Sequence, residues 1–230
     1  MDVAKTNFIS TVSHELKTPL ASSDLSLKRL KDERISKLSP EQKELIEHLQ
    51  QDNQRMLKIL SELLNMSQIE TGRIQLELGE VSPSAIIANA IDAVANNAKE
   101  KDIVIKDISS DALPSILADA DKTIWVLNNL LTNAIKYSIP GGIIEVKASQ
   151  AKNEILFSVK DTGPGIPGEF LTKVFDRYYK VPGSKEKGTG LGLAISKEFI
   201  LAQKGKIWVD SEIGKGSVFY FSLPVHTREE

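Results

Sequence analysis

Asp161-Thr162-Gly163-Pro164-Gly165-Ile166-Pro167-Gly168 is the stretch on which the fold turns. From Gly163 onward it spells G-x-G-x-x-G, the string that opens dinucleotide-binding folds. That motif needs a strand-to-helix crossover inside a parallel βαβ unit, with a helix N-terminus facing the pyrophosphate. Here the preceding run, 154–160, pairs with 143–149 around Ala151-Lys152-Asn153, which makes a hairpin rather than a crossover. Pro164 and Pro167 also remove backbone donors that a phosphate would use. The string therefore reads as a loop in a mixed sheet. No G-x-x-x-x-G-K-[ST] occurs, which excludes a P-loop.

Working outward, strands and helices alternate. A short β segment is expected at Ile74-Gln75-Leu76. Ser82-Pro83 opens a helix to about Lys99, and 103–108 is a β-branched strand. A helix from Asp121 through Ala134 ends near Tyr137-Ser138-Ile139-Pro140. Another runs from about Gly190 to Ala202, and 207–211 and 217–223 close the sheet.

Before Gly72 the character changes. All 14 glycines lie at Gly72 or beyond it, so the first 70 residues lack left-handed caps and tight turns and should be long helices. Ile9, Val12, Leu16, Leu20, Leu27 and Leu30 form one apolar seam; Leu45, Leu49, Met56, Ile59, Leu63 and Met66 form another. Ser39-Pro40-Glu41 is an N-cap followed by proline in the first turn, so a second helix starts there. A two-helix hairpin has few places to bury such seams; pairing of two copies into a four-helix bundle solves this, packing on the rest of the chain being the alternative. The organisation expected is a hairpin over 1–70, a linker over 71–79 and an α/β unit over 80–230.

Composition narrows the classes. The chain has 230 residues, 41% apolar and 26% charged, enough for a real core. Lys and Arg total 29 against 31 Asp and Glu, so there is no basic excess to follow a nucleic-acid backbone. Without cysteine there are no disulfides or thiolate metal sites, which fits a cytoplasmic setting. No apolar run reaches the ~20 residues that span a bilayer, and the N-terminus is not a signal peptide. Those features predict a soluble fragment without membrane contact, compatible with a piece of a longer, membrane-anchored protein.

Four motifs carry the chemistry. Asn129-Leu130-Leu131-Thr132-Asn133-Ala134-Ile135-Lys136-Tyr137 puts Asn129, Asn133 and Lys136 on one helical face, suited to Mg²⁺ and phosphate. Asp161-Thr162-Gly163-Pro164-Gly165 places a carboxylate at a strand end, able to accept from an exocyclic amine, with glycines that let a flat ring approach. Phe175-Asp176-Arg177-Tyr178-Tyr179 joins aromatic anchors to a cation that could reach a phosphate. Gly188-Thr189-Gly190-Leu191-Gly192-Leu193 opens a helix and offers backbone N–H donors to an anion, with the leucines pinning it to the core. The charged stretch 181–187 before it should be a mobile lid. Singly these are a solvated face, an Asp-Gly turn and two surface loops; in this order within about 65 residues they resemble the N-box, first glycine box, F-box and second glycine box of sensor histidine kinases.

The helical third carries Phe8-Ile9-Ser10-Thr11-Val12-Ser13-His14-Glu15-Leu16-Lys17-Thr18-Pro19-Leu20. At ~100° per residue, His14 is rotated by about 160–200° from Val12 and Leu16 and faces outward. Glu15 can accept from one imidazole nitrogen, leaving the other free to attack. Thr18 shares the imidazole's face, and Pro19 should bend the helix there. His48 and His226 read as solvated surface residues. The stretch is similar to the H-box of the largest class of sensor histidine kinases.

Nearly the whole chain resembles that family. The resemblance implies an α+β protein: an antiparallel hairpin forming a dimeric four-helix bundle, then a Bergerat-type α/β sandwich with a mixed sheet and three helices. It implies autophosphorylation of His14 from Mg²⁺–ATP, with Glu15 as acid–base residue, and relay to an aspartate of a response-regulator receiver domain in trans. Thr18 is implicated in phosphatase activity on that partner. Asn133 would ligate Mg²⁺ with Asn129 alongside; Lys136 and Arg177 would contact phosphates; Asp161 would hold the adenine amine over Gly163 and Gly165, near Tyr137. Gly188, Thr189, Gly190, Leu191 and Gly192 would close over the phosphates. An ATPase or serine-directed kinase of the same nucleotide fold, and a non-enzymatic dimerisation module, are the competing readings; neither accounts for both His14 and the nucleotide ligands.

Overall fold

A computed structural model describes residues 3–31, 38–72, 74–110, 112–183 and 188–226, the side chains of 3–11, 13 and 14 lying outside that description. The chain divides into two compact units, Met1–Arg73 and Ile74–Glu230.

The first unit is a helical hairpin, α1 (Val3–Leu30) and α2 (Pro40–Glu70). Ser39 starts α2 as the sequence predicts. Its Oγ accepts from Gln42 N at 3.2 Å, while Gln42 Oε1 accepts from Ser39 N at 2.8 Å, a reciprocal capping box. The turn at 32–37 lies outside the described residues. Helix α1 continues unbroken through Pro19. On the backbone just after that proline, Leu20 O accepts from the buried amide of Asn53 on α2 at 2.8 Å. Leu27, Ile46, Leu60 and Met66 are buried, and Lys31 Nζ meets Glu47 Oε1 at 3.0 Å.

The second unit is an α/β sandwich. Its elements are β1 (Leu78–Val81), α3 (Pro83–Glu100), β2 (Val104–Asp107), β3 (Ile116–Asp119), α4 (Ala120–Tyr137), β4 (Ile143–Ala151), β5 (Glu154–Lys160), α5 (Gly192–Ala202), β6 (Lys206–Glu212) and β7 (Gly216–Pro224). The main sheet runs β2-β4-β5-β7-β6; β2 lies parallel to β4 and the other neighbours are antiparallel. A two-stranded sheet pairs β1 with β3. The expected strand at 74–76 is displaced to 78–81, because the pairing partner, β3, fixes the register and Asp119 Oδ2 takes the Glu77 N–H at 2.9 Å.

Alternation along β4, β5 and β7 points Val146, Phe157, Val159, Phe221 and Leu223 into a core closed by Ile86 and Ile87 of α3, Leu127 and Leu130 of α4, and Ile195 of α5. Phe157 and Phe221 are register partners, stacked with centroids 4.6 Å apart. Each such buried side chain contributes roughly 1.5–3 kcal/mol. On the opposite face Trp208 and Tyr220 stack at 5.3 Å. Among the described residues no helix is long and apolar enough to cross a membrane.

Candidate functional site

Helix α4 carries the first motif and is fixed at its start by Asp119. The Asp119 Oδ1 accepts from Lys122 N at 3.0 Å, and Oδ2 accepts from Lys122 Nζ at 2.8 Å. Burial alone would raise the Asp119 carboxyl, but the Lys122 ammonium and the N–H groups of Lys122 and Glu77 outweigh it and hold it below its ordinary value. The helix spacing then presents Asn129, Asn133 and Lys136 along one edge, while Val126, Leu127, Leu130 and Leu131 enter the core.

Asn129 is buried and faces the start of α5. Its Nδ2 donates to Ser196 Oγ at 3.0 Å, and Ser196 Oγ donates to Gly192 O at 2.9 Å. A Cβ on Gly192 would strike the Asn129 amide oxygen, so any side chain there would have to displace the buried Asn129 amide. Asn133 is half-buried one turn further along α4. Lys136 Nζ lies 5.1 Å from the Tyr137 ring centroid, and a Cβ on Gly188 would sit 3.4 Å from that nitrogen.

Asp161 follows β5 and is 4% exposed. Its Oδ1 accepts from Gly163 N at 2.8 Å and from Ser217 N at 3.2 Å. Burial pushes the Asp161 carboxyl above its ordinary value, and these two N–H groups offset part of that rise. Neither bond uses Oδ2. The dinucleotide-like string that follows is no crossover: β5 is antiparallel to both β4 and β7, and two short 3₁₀ turns, Gly168–Phe170 and Lys173–Phe175, come next in place of a crossover helix. Gly165, at φ +76°, packs so closely on the β6–β7 turn that a Cβ would strike Glu212 O, and Pro164 O accepts from Gly214 N at 2.8 Å.

The third and fourth motifs meet each other. Tyr178 takes a positive φ of 61° and its N–H donates to Gly190 O at 2.9 Å. Thr189 Oγ1 accepts from Leu191 N at 3.2 Å, and Leu191 is buried at the start of α5. Arg177 is exposed between them. Of the expected lid, residues 184–187 lie outside the described residues.

The structure thus joins Asn129 to Gly192, Lys136 to Gly188, Asp161 to Gly163, and Tyr178 to Gly190, around one edge of the sandwich. In the other unit, Glu15 and Thr18 are exposed on α1; the expected outward direction of the His14 side chain lies outside the described residues. Sequence reasoning missed Ser196, which holds Asn129, and the Ser217 N–H, which holds Asp161. The first signal was a serine one turn into α5; the second is a backbone donor and has no sequence signal.

Two family models match the chain. The His Kinase A (phospho-acceptor) domain covers residues 4–72, and the histidine kinase-, DNA gyrase B- and HSP90-like ATPase covers residues 118–227. The sensor histidine kinase WalK of Bacillus subtilis (strain 168) is 32% identical over 239 residues, spanning 100% of this chain and 38% of the relative. The sensor protein kinase WalK of Staphylococcus aureus is 32% identical, spanning 97% of this chain and 54% of the relative. The chain therefore spans between about a third and about half of these relatives' length. Full-length ShkA, solved in complex with AMPPNP, superposes with a TM-score of 0.78 at 29% identity, over 97% of this chain and 47% of that one. With a phospho-acceptor hairpin followed by a nucleotide-binding ATPase sandwich, the chain belongs to the sensor histidine kinases.

Proposed function

We propose that this chain transfers the γ-phosphoryl group of Mg²⁺–ATP to His14 and then to an aspartate on a response-regulator receiver domain. The observation that carries the nucleotide half is the buried Asp161 carboxylate: backbone donors engage Oδ1, and Oδ2 is left to accept the adenine amine. In ordinary solvent such a carboxylate would be exposed; burial without a cation partner is costly and fits a site built for a donor. ShkA, which superposes over 97% of this chain and was solved in complex with AMPPNP, supports the reading of a nucleotide-binding unit.

The Asn133 amide oxygen is a hard donor that fits Mg²⁺ and would hold it beside the phosphates, where the ion would neutralise their charge. Lys136 and Arg177 bring cations to the same oxygens, Gly188, Thr189, Gly190 and Leu191 close over them, and Gly163, Gly165 and Tyr137 flank the base. Asn129 acts by holding the α5 N-terminus against α4. A neutral ring nitrogen of His14 attacks the γ-phosphorus in line, the bond to the β,γ-bridging oxygen breaks, and ADP leaves with that electron pair. The proton on the other ring nitrogen passes toward Glu15.

The hairpin supplies the second half. Leu45, Leu49, Met56 and Leu63 step by four, seven and seven residues along α2 and stay exposed in the single chain, as do Val12, Leu16 and Leu30 on α1. This face fits a second copy, giving a four-helix bundle through residues 1–70. We place the reaction in the cytoplasm, where ATP and a regulator meet. The exposed Thr18, one turn from His14, supports a further activity, hydrolysis of the regulator's aspartyl phosphate.

The test is incubation with γ-labelled ATP and Mg²⁺. Acid-labile, alkali-stable label is expected on the wild type and none on His14→Gln or Asn133→Ala. Label of full intensity on His14→Gln would defeat the assignment.

A further inference from the structure

We infer that Lys101 is a positioning residue for the nucleotide site, its ammonium fixing the last turn of α4 and so the placement of Lys136 and Tyr137. The inference rests on the nucleotide reading above.

A helix leaves its final carbonyls without partners of its own. At the end of α4 each has a separate fate. Ala134 O accepts from Ser138 N at 2.9 Å. Tyr137 O abuts the first glycine box, where a Cβ on Gly163 would stand 2.9 Å away. The two between them are taken from another helix: Lys101 Nζ donates to Ile135 O at 2.8 Å and also to Lys136 O. One of those carbonyls belongs to Lys136 itself, so the bond acts on the backbone from which that side chain springs. The cation also meets the negative end of the α4 dipole.

The base of this strut is held firmly. Lys101 caps α3, and the chain reverses immediately after it. Asp102 takes φ +61°, and Ile103 N donates to Ala98 O at 2.8 Å, with Ile103 buried. A half-buried lysine stem therefore runs from a tight reversal on α3 to the turn of α4 that carries two nucleotide contacts. Lys101 touches neither nucleotide nor metal in this scheme and works through α4.

The test measures KM for ATP and kcat of autophosphorylation, with calorimetric binding of a non-hydrolysable ATP analogue, for wild type, Lys101→Met, Lys101→Arg, Lys136→Ala and the double variant Lys101→Met/Lys136→Ala. Loss of the ammonium should raise KM about tenfold and leave kcat within about twofold, and arginine should restore KM to within about threefold. Once Lys136 is gone, removing Lys101 should add less than about twofold. Full multiplication of the two effects, or a lowered melting temperature with unchanged KM, would overturn the inference while sparing the nucleotide reading. If Lys136→Ala leaves both KM and analogue affinity unchanged, the reading of Lys136 falls and Lys101 falls with it. Should Lys101→Met melt below assay temperature, Lys101→Gln replaces it under the same criteria.

Discussion

The two units of this chain solve the burial problem in opposite ways. In the α/β sandwich the apolar face of the sheet is sealed by its own helices: Phe157, Phe221, Leu127, Leu130 and Ile195 are at most 1% exposed. In the hairpin Leu45 and Met56 remain 62% and 53% exposed, and the polar side chains Asn53 and Glu62 are buried. A sandwich that closes on itself can fold and bind nucleotide as one copy. A hairpin with a heptad-spaced stripe open suits the proposed pairing with a second copy, and on that reading its stability should vary with concentration. The contrast fits the proposed roles, a clamp for ATP in one unit and a phosphoryl acceptor in the other.

Cutting the sandwich core is the strongest way to break this contrast. Phe157→Ala should destabilise the second unit by about 3–5 kcal/mol while helical signal from the hairpin persists. Both tryptophans, Trp125 and Trp208, lie in the second unit, so their fluorescence reports it alone. A single transition lost by both fluorescence and far-ultraviolet dichroism would show that the units are not independent. Charging the open stripe comes next. Leu49→Glu with Met56→Glu should weaken self-association at least about a hundredfold, about 2.7 kcal/mol, in sedimentation, with the sandwich melt unchanged. Unaltered association would place the dimer seam elsewhere.

Smaller effects sharpen the same comparison. Ser39→Ala removes half of the capping box of α2 and should cost the hairpin about 1 kcal/mol, read as a lower helix melting temperature that rises again with protein concentration. Smallest in stability is Asp161→Asn. Because the folded-state pKa of Asp161 lies above its ordinary value, its contribution is present at low pH and is lost as pH rises through that raised value. At neutral pH without nucleotide, the asparagine variant should therefore melt slightly higher than wild type, and the gap should close on acidification. Its affinity for an ATP analogue should drop more than about tenfold. A variant that melts lower at neutral pH would show that the buried charge is not a burden.

Local patterns were legible in sequence; distant partnerships were not. The polar edge of α4 followed from helical spacing, and the start of α2 from Ser39-Pro40, because both depend on neighbours within one turn. The rejection of the dinucleotide motif needed only the hairpin before Gly163. By contrast β3, four residues long, had too little pattern to be found, and the β1 register went wrong because its partner sets it. The bond from Asn129 Nδ2 to Ser196, 67 residues away, had no local pattern to announce it. Lys101 looked like an ordinary basic residue at a helix end until its carbonyl partners, more than thirty residues on, were seen.

The central claim is that the clamped nucleotide serves one imidazole. Ser10, Thr11, Ser13 and Thr18 flank His14 within two turns, so the position of the phosphoryl group decides the matter. After incubation with Mg²⁺–ATP, mass spectrometry under alkaline conditions should locate it on the His14 ring and nowhere else on α1. A phosphoryl group on one of the flanking hydroxyls, with His14 unmodified, would contradict the account.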